Sequence, residues 1–276
     1  MKSSSKQEYW ALILGASSGF GEAAAIALAQ DGFNIFGVHL DRQATMPNVE
    51  RIIGEIESAG VQAVFFNANA ADEFKRNEIV SSIKSQLNDQ PLVRVIMHSL
   101  AFGTLKPFIS FSEEQTINKA QMEMTVDVMA HSLVYWVQDI FKNKLLSQNA
   151  RIFAMTSSGG HSAIPFYGAV SAAKATLESH VRQLAVELGP LGASVNSIMA
   201  GVTDTPALRK IPGNVEMIDI AKRKNPHGKL TTPQNVAKII SLLCKDGGEW
   251  ISGGLIHADG GEDIVNYVGQ GKSNSL

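Results

Sequence analysis

Cysteine occurs once in the 276 residues, at Cys244. No internal disulfide can form, and a zinc ribbon lacks its thiols. Charge of one sign is missing too: 24 Lys and Arg face 26 Asp and Glu, for a net charge of −2. Without a basic excess to neutralise phosphates, nucleic acid is not an expected partner. Long apolar runs are absent; the stretch Ala23 to Ala29 falls far short of the ~20 residues that span a bilayer. The seven histidines are scattered without ligand spacing, so no metal site is expected. The segment Met1 to Lys6 carries charge but has no apolar core behind it, unlike a secretory leader. A reducing, cytoplasmic setting is expected.

What is present is apolar content, 45% of residues, with only 18% charged. That excludes a disordered chain. A chain of this length buries roughly three-quarters of its unfolded surface on folding. Short apolar runs alternate with helical patterns. Strands are predicted over Trp10–Leu14, Phe33–Leu40, Val61–Phe66, Leu92–His98, Arg151–Met155, Ser194–Met199 and Leu255–Ala258. Helices are predicted over Gly19–Gln30, Asn48–Ala59, Glu73–Leu87, Glu113–Leu146, Ala172–Leu188 and Val236–Cys244. The strands are continuously apolar, as a sheet covered on both faces requires. The alternation predicts an α/β fold with a doubly wound parallel sheet, three layers deep. No linker or repeat interrupts it, so residues 1–276 read as one domain. The stretch 201–233, with four prolines, is the least regular and reads as a substrate lid.

The first strand runs straight into Gly15-Ala16-Ser17-Ser18-Gly19-Phe20-Gly21 and then a helix. Glycines there permit a tight turn and close backbone approach, and the helix start offers unpaired N–H groups to a phosphate. Ser17 and Ser18 add hydroxyl donors. On these residues the chain resembles the short-chain dehydrogenase/reductase family, from about Trp10 to Gly261. The resemblance implies a Rossmann-fold nucleotide-binding oxidoreductase, usually a homotetramer. It also implies an adenine contact at Asn69-Ala70 and a nicotinamide contact at Gly201, Val202, Thr203 and Thr205. Asp259-Gly260-Gly261 matches the family's closing turn, where Asp259 reads as structural.

Most relatives carry Tyr-x3-Lys. Here Val170 stands four residues before Lys174, and the available tyrosine is Tyr167, giving Tyr-x6-Lys. Seven residues are almost two helical turns, so Tyr167 and Lys174 can share a face. This spacing resembles the enoyl-acyl-carrier-protein reductase branch. So do Ile164-Pro165-Phe166-Tyr167, against the branch's Ile-Pro-Asn-Tyr, and His98-Ser99-Leu100-Ala101-Phe102, which implies cofactor contacts at Ser99, Leu100 and Ala101. Asp127 stands where ordinary relatives place a catalytic asparagine. Ser157 replaces the branch's second tyrosine, and with the glycine turn it resembles a divergent group of these reductases. Ser157 either holds substrate or caps the strand end.

The resemblance implies reduction of a trans-2-enoyl thioester in fatty acid biosynthesis, on an acyl carrier protein or another thioester. Tyr167 would stabilise the enolate oxygen. Lys174 would hold the nicotinamide ribose and favour tyrosinate by its charge. A carbonyl or alcohol oxidoreductase such as a 3-oxoacyl reductase is the alternative within enzymes, and an inactive nucleotide-binding protein the alternative outside them. The end of the second strand carries His39 in place of the acid that binds the NAD ribose. Arg42 could meet a 2′-phosphate while Asp41 would oppose it, so NADPH is expected and NADH stays open. Lys222-Arg223-Lys224 reads as a solvated face or as a dock for an acidic carrier. Met122, Met124 and Met129 read as core or subunit contacts.

Overall fold

Apolar runs without alternation demand cover on both faces, and the chain supplies it. The computed structural model describes residues 8–266; the segment Met1 to Lys6 lies outside them. Seven strands form one parallel sheet: β1 (Trp10–Leu14), β2 (Asn34–His39), β3 (Ala63–Asn67), β4 (Val93–His98), β5 (Leu146–Thr156), β6 (Ser194–Ala200) and β7 (Leu255–Ala258). Their order is β3-β2-β1-β4-β5-β6-β7. The helices are α1 (Gly19–Gln30), α2 (Met46–Ser58), α3 (Glu73–Gln86), α4 (Lys119–Val126), α5 (Ser132–Lys142), α6 (Gly168–Leu188), α7 (Asn214–Lys224) and α8 (Pro233–Leu243). This is the doubly wound Rossmann arrangement that the pattern predicts.

Successive strand residues point to opposite faces. Leu12, Leu14, Phe36 and Val38 therefore join Ile83, Trp136, Ile140 and Leu177 of α3, α5 and α6 in one core. Ala11, Ile13 and Ile35 join Leu28, Ile52 and Ile240 of α1, α2 and α8 in the other. The strand order reverses between β1 and β4, and ligands of such sheets bind beyond the carboxyl ends at that point. Register sets what gathers there: Leu14 pairs with Val38 on one side and His98 on the other, and Thr156 pairs with Met199. Gly15, His39, Ser99, Ser157 and Gly201 thus emerge along one edge of the sheet. No helix among the described residues is long and apolar enough to cross a membrane.

Three segments differ from the sequence expectation. The helical reading of 113–146 runs too far. A loop precedes α4, which starts at Lys119 behind an Asn118/Gln121 capping box; a five-residue π turn, Asp127–His131, separates α4 from α5; and Lys144, at φ 60, ends the helix. Next, β5 starts at Leu146, five residues early. Its apolar pattern is broken by exposed Gln148 and Asn149, the latter at φ 54, which hid the strand. Finally, 201–233 is not irregular throughout: it contains α7. That helix buries only Ala221, so it shows little of the periodicity that marks a helix.

Candidate active site

The glycine turn is built by close approach. Gly15 has φ 90, and a Cβ on it would lie 2.6 Å from the Ser99 carbonyl oxygen. A Cβ on Gly21 would lie 2.0 Å from the Gly15 carbonyl oxygen. Ser18 precedes α1 in an extended conformation, and its hydroxyl makes no cap bond to the helix. The first N–H groups of α1, between Gly19 and Phe20, are left for an anion. These residues fit a dinucleotide pyrophosphate: only glycine fits at 15 and 21, and the capping hydroxyl is unspent.

At the end of β2, His39 is buried and its Nδ1 lies 3.0 Å from Asp41 Oδ2. The side chain expected at the ribose is thus buried against the partly buried Asp41 carboxylate. Asn67 clamps the Asp41 backbone, accepting from its N–H at 3.0 Å and donating to its carbonyl at 3.0 Å. Burial works to raise the Asp41 pKa, but hydrogen bonds from Ser17, Thr45 and His39 outweigh it and hold the carboxyl below its usual range. Asp41 thus joins the glycine turn to β2 as a fixed negative charge, a role the sequence reading gave only to opposition. Arg42 is exposed beside it. Asn69 turns its amide oxygen to the Ala71 N–H at 3.1 Å, and the Ala70 carbonyl accepts from the Trp136 indole at 2.8 Å.

The three residues read as catalytic gather beyond β5 and at the start of α6. Tyr167 is not within the helix but immediately before it, while Lys174 sits in its second turn. The Ser157 and Tyr167 hydroxyls lie 3.4 Å apart. Gly159 makes this possible, since a Cβ there would lie 2.4 Å from the tyrosine ring. Burial raises the Tyr167 pKa, against the Ser157 bond that lowers it. This is the direction a proton donor needs, since a phenol is already protonated at neutral pH. Lys174 is buried and donates to the Met155 carbonyl at 2.7 Å. Burial pushes its pKa down to about 8, with the Glu178 charge opposing. Glu178 in turn accepts from Thr156 Oγ1 at 2.6 Å, a brace no motif announced. Val170 is buried against Met129 and Ala173, so its side chain is core.

Beyond β6, Gly201 to Thr205 runs back toward the glycine turn. A Cβ on Gly19 would lie 3.4 Å from Thr205 Cγ2. Thr203 donates to the Gly201 carbonyl at 2.9 Å, and Thr205 Oγ1 accepts from the Leu208 N–H at 3.2 Å. The Val202 N–H donates to Glu262 at 3.0 Å. Asp259 is structural, as read: its carboxylate accepts from the Gly261 and Asp263 N–H groups at 2.9 and 2.8 Å. Leu100 contacts the Gly15 position, and the Ser99 N–H donates to Leu14. Ala101 begins the exposed loop after them. His98 is fully buried, and its Nε2 lies 2.8 Å from Ser132 Oγ. Asp127 stands in the turn that packs against α6. It lines an outer cavity of about 610 Å³ with Met122, Met124 and His131. Among the described residues no group of three or more His, Cys, Asp or Glu could hold a metal ion.

A phosphate-sized cradle beside a hydroxyl and ammonium cluster, on a doubly wound sheet, is the arrangement of a nicotinamide-dependent oxidoreductase. The chain belongs to the short-chain dehydrogenase/reductase family, whose members bind NAD(P)(H): the family model described as enoyl-(acyl carrier protein) reductase matches residues 15–262. It is 28% identical over 260 residues to an uncharacterized oxidoreductase of Bacillus subtilis, covering 94% of this chain and 98% of that one. It is also 28% identical over 180 residues to the enoyl-[acyl-carrier-protein] reductase [NADH] FabI of Aquifex aeolicus, covering 64% of each. The crystal structure of an Aquifex aeolicus enoyl-[acyl-carrier-protein] reductase superposes with a TM-score of 0.80 at 22% identity, over 95% of this chain and 99% of that one, and shows the shared fold. Relatives of similar identity are named for other reductions and dehydrogenations.

Proposed function

We propose that the protein reduces the carbon–carbon double bond of a trans-2-enoyl thioester. The observation that carries this reading is the pairing of Tyr167 with a buried Lys174 seven residues on, while Val170, at the commoner tyrosine position, is packed into the core. A nicotinamide held there would supply the hydride to the β-carbon. Negative charge would then develop on the thioester oxygen as an enolate, whose α-carbon takes up a proton from solvent to complete the reduction. Tyr167, a phenol protonated at neutral pH whose pKa burial raises further, donates a hydrogen bond to that oxygen. Ser157 shares the tyrosine hydroxyl and orients it. Lys174 is held by the Met155 carbonyl with its charge toward the nicotinamide ribose. The glycine turn and Ser18 hold the pyrophosphate, and Gly201 to Thr205 hold the carboxamide end. Positioning of this kind supplies much of the rate.

For the adenine ribose, exposed Arg42 supports NADPH through its 2′-phosphate, with Asp41 discriminating against it. The stretch 201–233 acts as a lid over the acyl group. Lys222 and Arg223, exposed at the end of α7, would receive an acidic carrier protein. Reversing their charge would slow carrier-linked substrates but not coenzyme A thioesters. The assembly expected from the family is a homotetramer, which light scattering measures directly.

A second reading is favoured by one observation. The 3.4 Å Ser157–Tyr167 pair equally suits a carbonyl oxygen, as in a 3-oxoacyl reductase. One assay separates the two. The protein is given NADPH or NADH with a short trans-2-enoyl thioester or a 3-oxoacyl thioester. Reduction of the enoyl substrate alone supports the proposal, and reduction of the ketone alone refutes it. Dinucleotide binding with neither reaction indicates an inactive nucleotide-binding protein.

A further inference from the structure

Glu262 lies outside every motif considered above, yet the fold aims its carboxyl at the loop after β6. Two successive glycines, Gly260 at φ 66 and Gly261 at φ 83, reverse the chain after β7. Asp259 braces that reversal through the Gly261 and Asp263 N–H groups. The outcome is a carboxyl only 8% exposed that accepts the Val202 N–H through Oε1 at 3.0 Å. Its second oxygen, Oε2, is buried and makes no hydrogen bond of ordinary geometry among the described residues, with the Asn225 side chain close to the carboxyl. Gly201 is the residue that leaves it room: a Cβ there would lie 2.7 Å from Oε2 and 2.5 Å from Thr231 Oγ1. A buried carboxyl with one unmet oxygen is costly unless it holds something in place. What it holds is the Gly201 to Thr205 segment, which reaches back to the glycine turn at Gly19.

We propose that Glu262 is a positioning residue for the nicotinamide end of the bound dinucleotide. It ties the loop after β6 to the turn after β7 through the Val202 N–H, and so fixes where Gly201 to Thr205 meet the cofactor. Without the tie, Val202 loses its acceptor and the loop loses its anchor to the sheet. This inference rests on the reading that the loop faces the nicotinamide. Burial pushes the Glu262 carboxyl above the usual range, against the Val202 N–H and the Asn225 side chain, which lower it. Glutamine, which keeps an acceptor oxygen, would replace it; leucine would not.

The test is calorimetric titration of the full chain with reduced dinucleotide and with ADP-ribose or its 2′-phosphate, which lacks the nicotinamide. Glu262→Leu is expected to weaken reduced dinucleotide about tenfold, the loss of one buried hydrogen bond, and to leave the ADP-ribose compound within about twofold. Glu262→Gln is expected to stay within about threefold of wild type on both. Where the leucine variant does not fold, Glu262→Asp, shorter by one methylene, is read the same way. Equal weakening of both ligands, no weakening of either, or failure of glutamine to rescue overturns the inference alone. Wild-type protein that binds the ADP-ribose compound as tightly as the dinucleotide overturns the nicotinamide reading, and the inference with it.

Discussion

The Ser157 hydroxyl stands 3.4 Å from the Tyr167 hydroxyl across ten residues, because Gly159 lets the tyrosine ring lie against the turn between them. In the proposed reaction the two groups act as one unit facing the substrate oxygen. Tyr167→Phe removes the donor and is expected to lower kcat by about a hundredfold or more, with little change in dinucleotide affinity. Ser157→Ala should cost less, and Gly159→Ala should resemble Tyr167→Phe by pushing the ring aside. Steady-state kinetics on the three variants checks this. A Tyr167→Phe variant with wild-type kcat would remove the tyrosine from the chemistry.

Lys174 carries its charge in a fully buried place, and its pKa falls to about 8 from 10.5. The charged form is lost as pH rises through about 8. Dinucleotide affinity and kcat/KM should fall on that limb. Stability should move the other way. Between about 8 and 10.5 the unfolded chain holds a proton that the folded chain has lost, so this group's contribution to stability rises with pH. Lys174→Met should abolish both trends. Binding that is flat to pH 10 would contradict the assignment.

His98 gives the same sign of effect at acid pH. Burial, aided by the Lys174 charge, lowers its pKa from 6.5 to about 3. Below 6.5 the unfolded chain takes up a proton that the folded chain refuses, so stability falls as pH drops from 6.5 toward 3. The loss by pH 4.5 is about 2 to 3 kcal/mol. Denaturant melts of wild type and His98→Gln at pH 7 and 4.5 isolate this contribution from that of the carboxylates. Parallel curves for the two proteins would refute it.

Phe166 occupies the left-handed region at φ 64 immediately before Tyr167, and 45% of it is exposed. A bulky L-residue there costs roughly 1 kcal/mol, and asparagine or glycine much less. Phe166→Asn is expected to raise the melting temperature by a few degrees, since little packing is lost. Unchanged or lowered stability would mean that the ring has a packing role greater than its exposure suggests.

The sheet was legible because most strands centre on a short apolar run, and β1, β2 and β4 run up to a glycine or a histidine. The cradle was legible because Gly15, Gly19 and Gly21 follow such a run. The active cluster was legible only through spacing and resemblance. Tyr167 lies just outside α6 rather than on its face, and the burial that raises its pKa further is something spacing cannot express. Asp41, Glu178 and Glu262 were not singled out as site residues because their partners are far along the chain: Asn67, Thr156 and Val202. The helix α7 escaped notice because one buried alanine leaves almost no periodic signal.

In the proposed reading the choice between NADPH and NADH turns on two adjacent residues of opposite charge, Asp41 and Arg42. Asp41 is fixed against Ser17 and His39 with its charge retained, whereas Arg42 is exposed and costs little to move onto a 2′-phosphate. Arg42→Ala should raise KM for NADPH at least about tenfold more than for NADH, the scale of one charge-assisted contact. Asp41→Asn removes a negative charge beside the same phosphate and should improve NADPH relative to NADH. The two substitutions act in opposite directions on the same ratio, so their signs are informative even if each effect is small. Equal effects of Arg42→Ala on both cofactors would place the 2′-phosphate elsewhere and leave Asp41 as the group that selects for NADH.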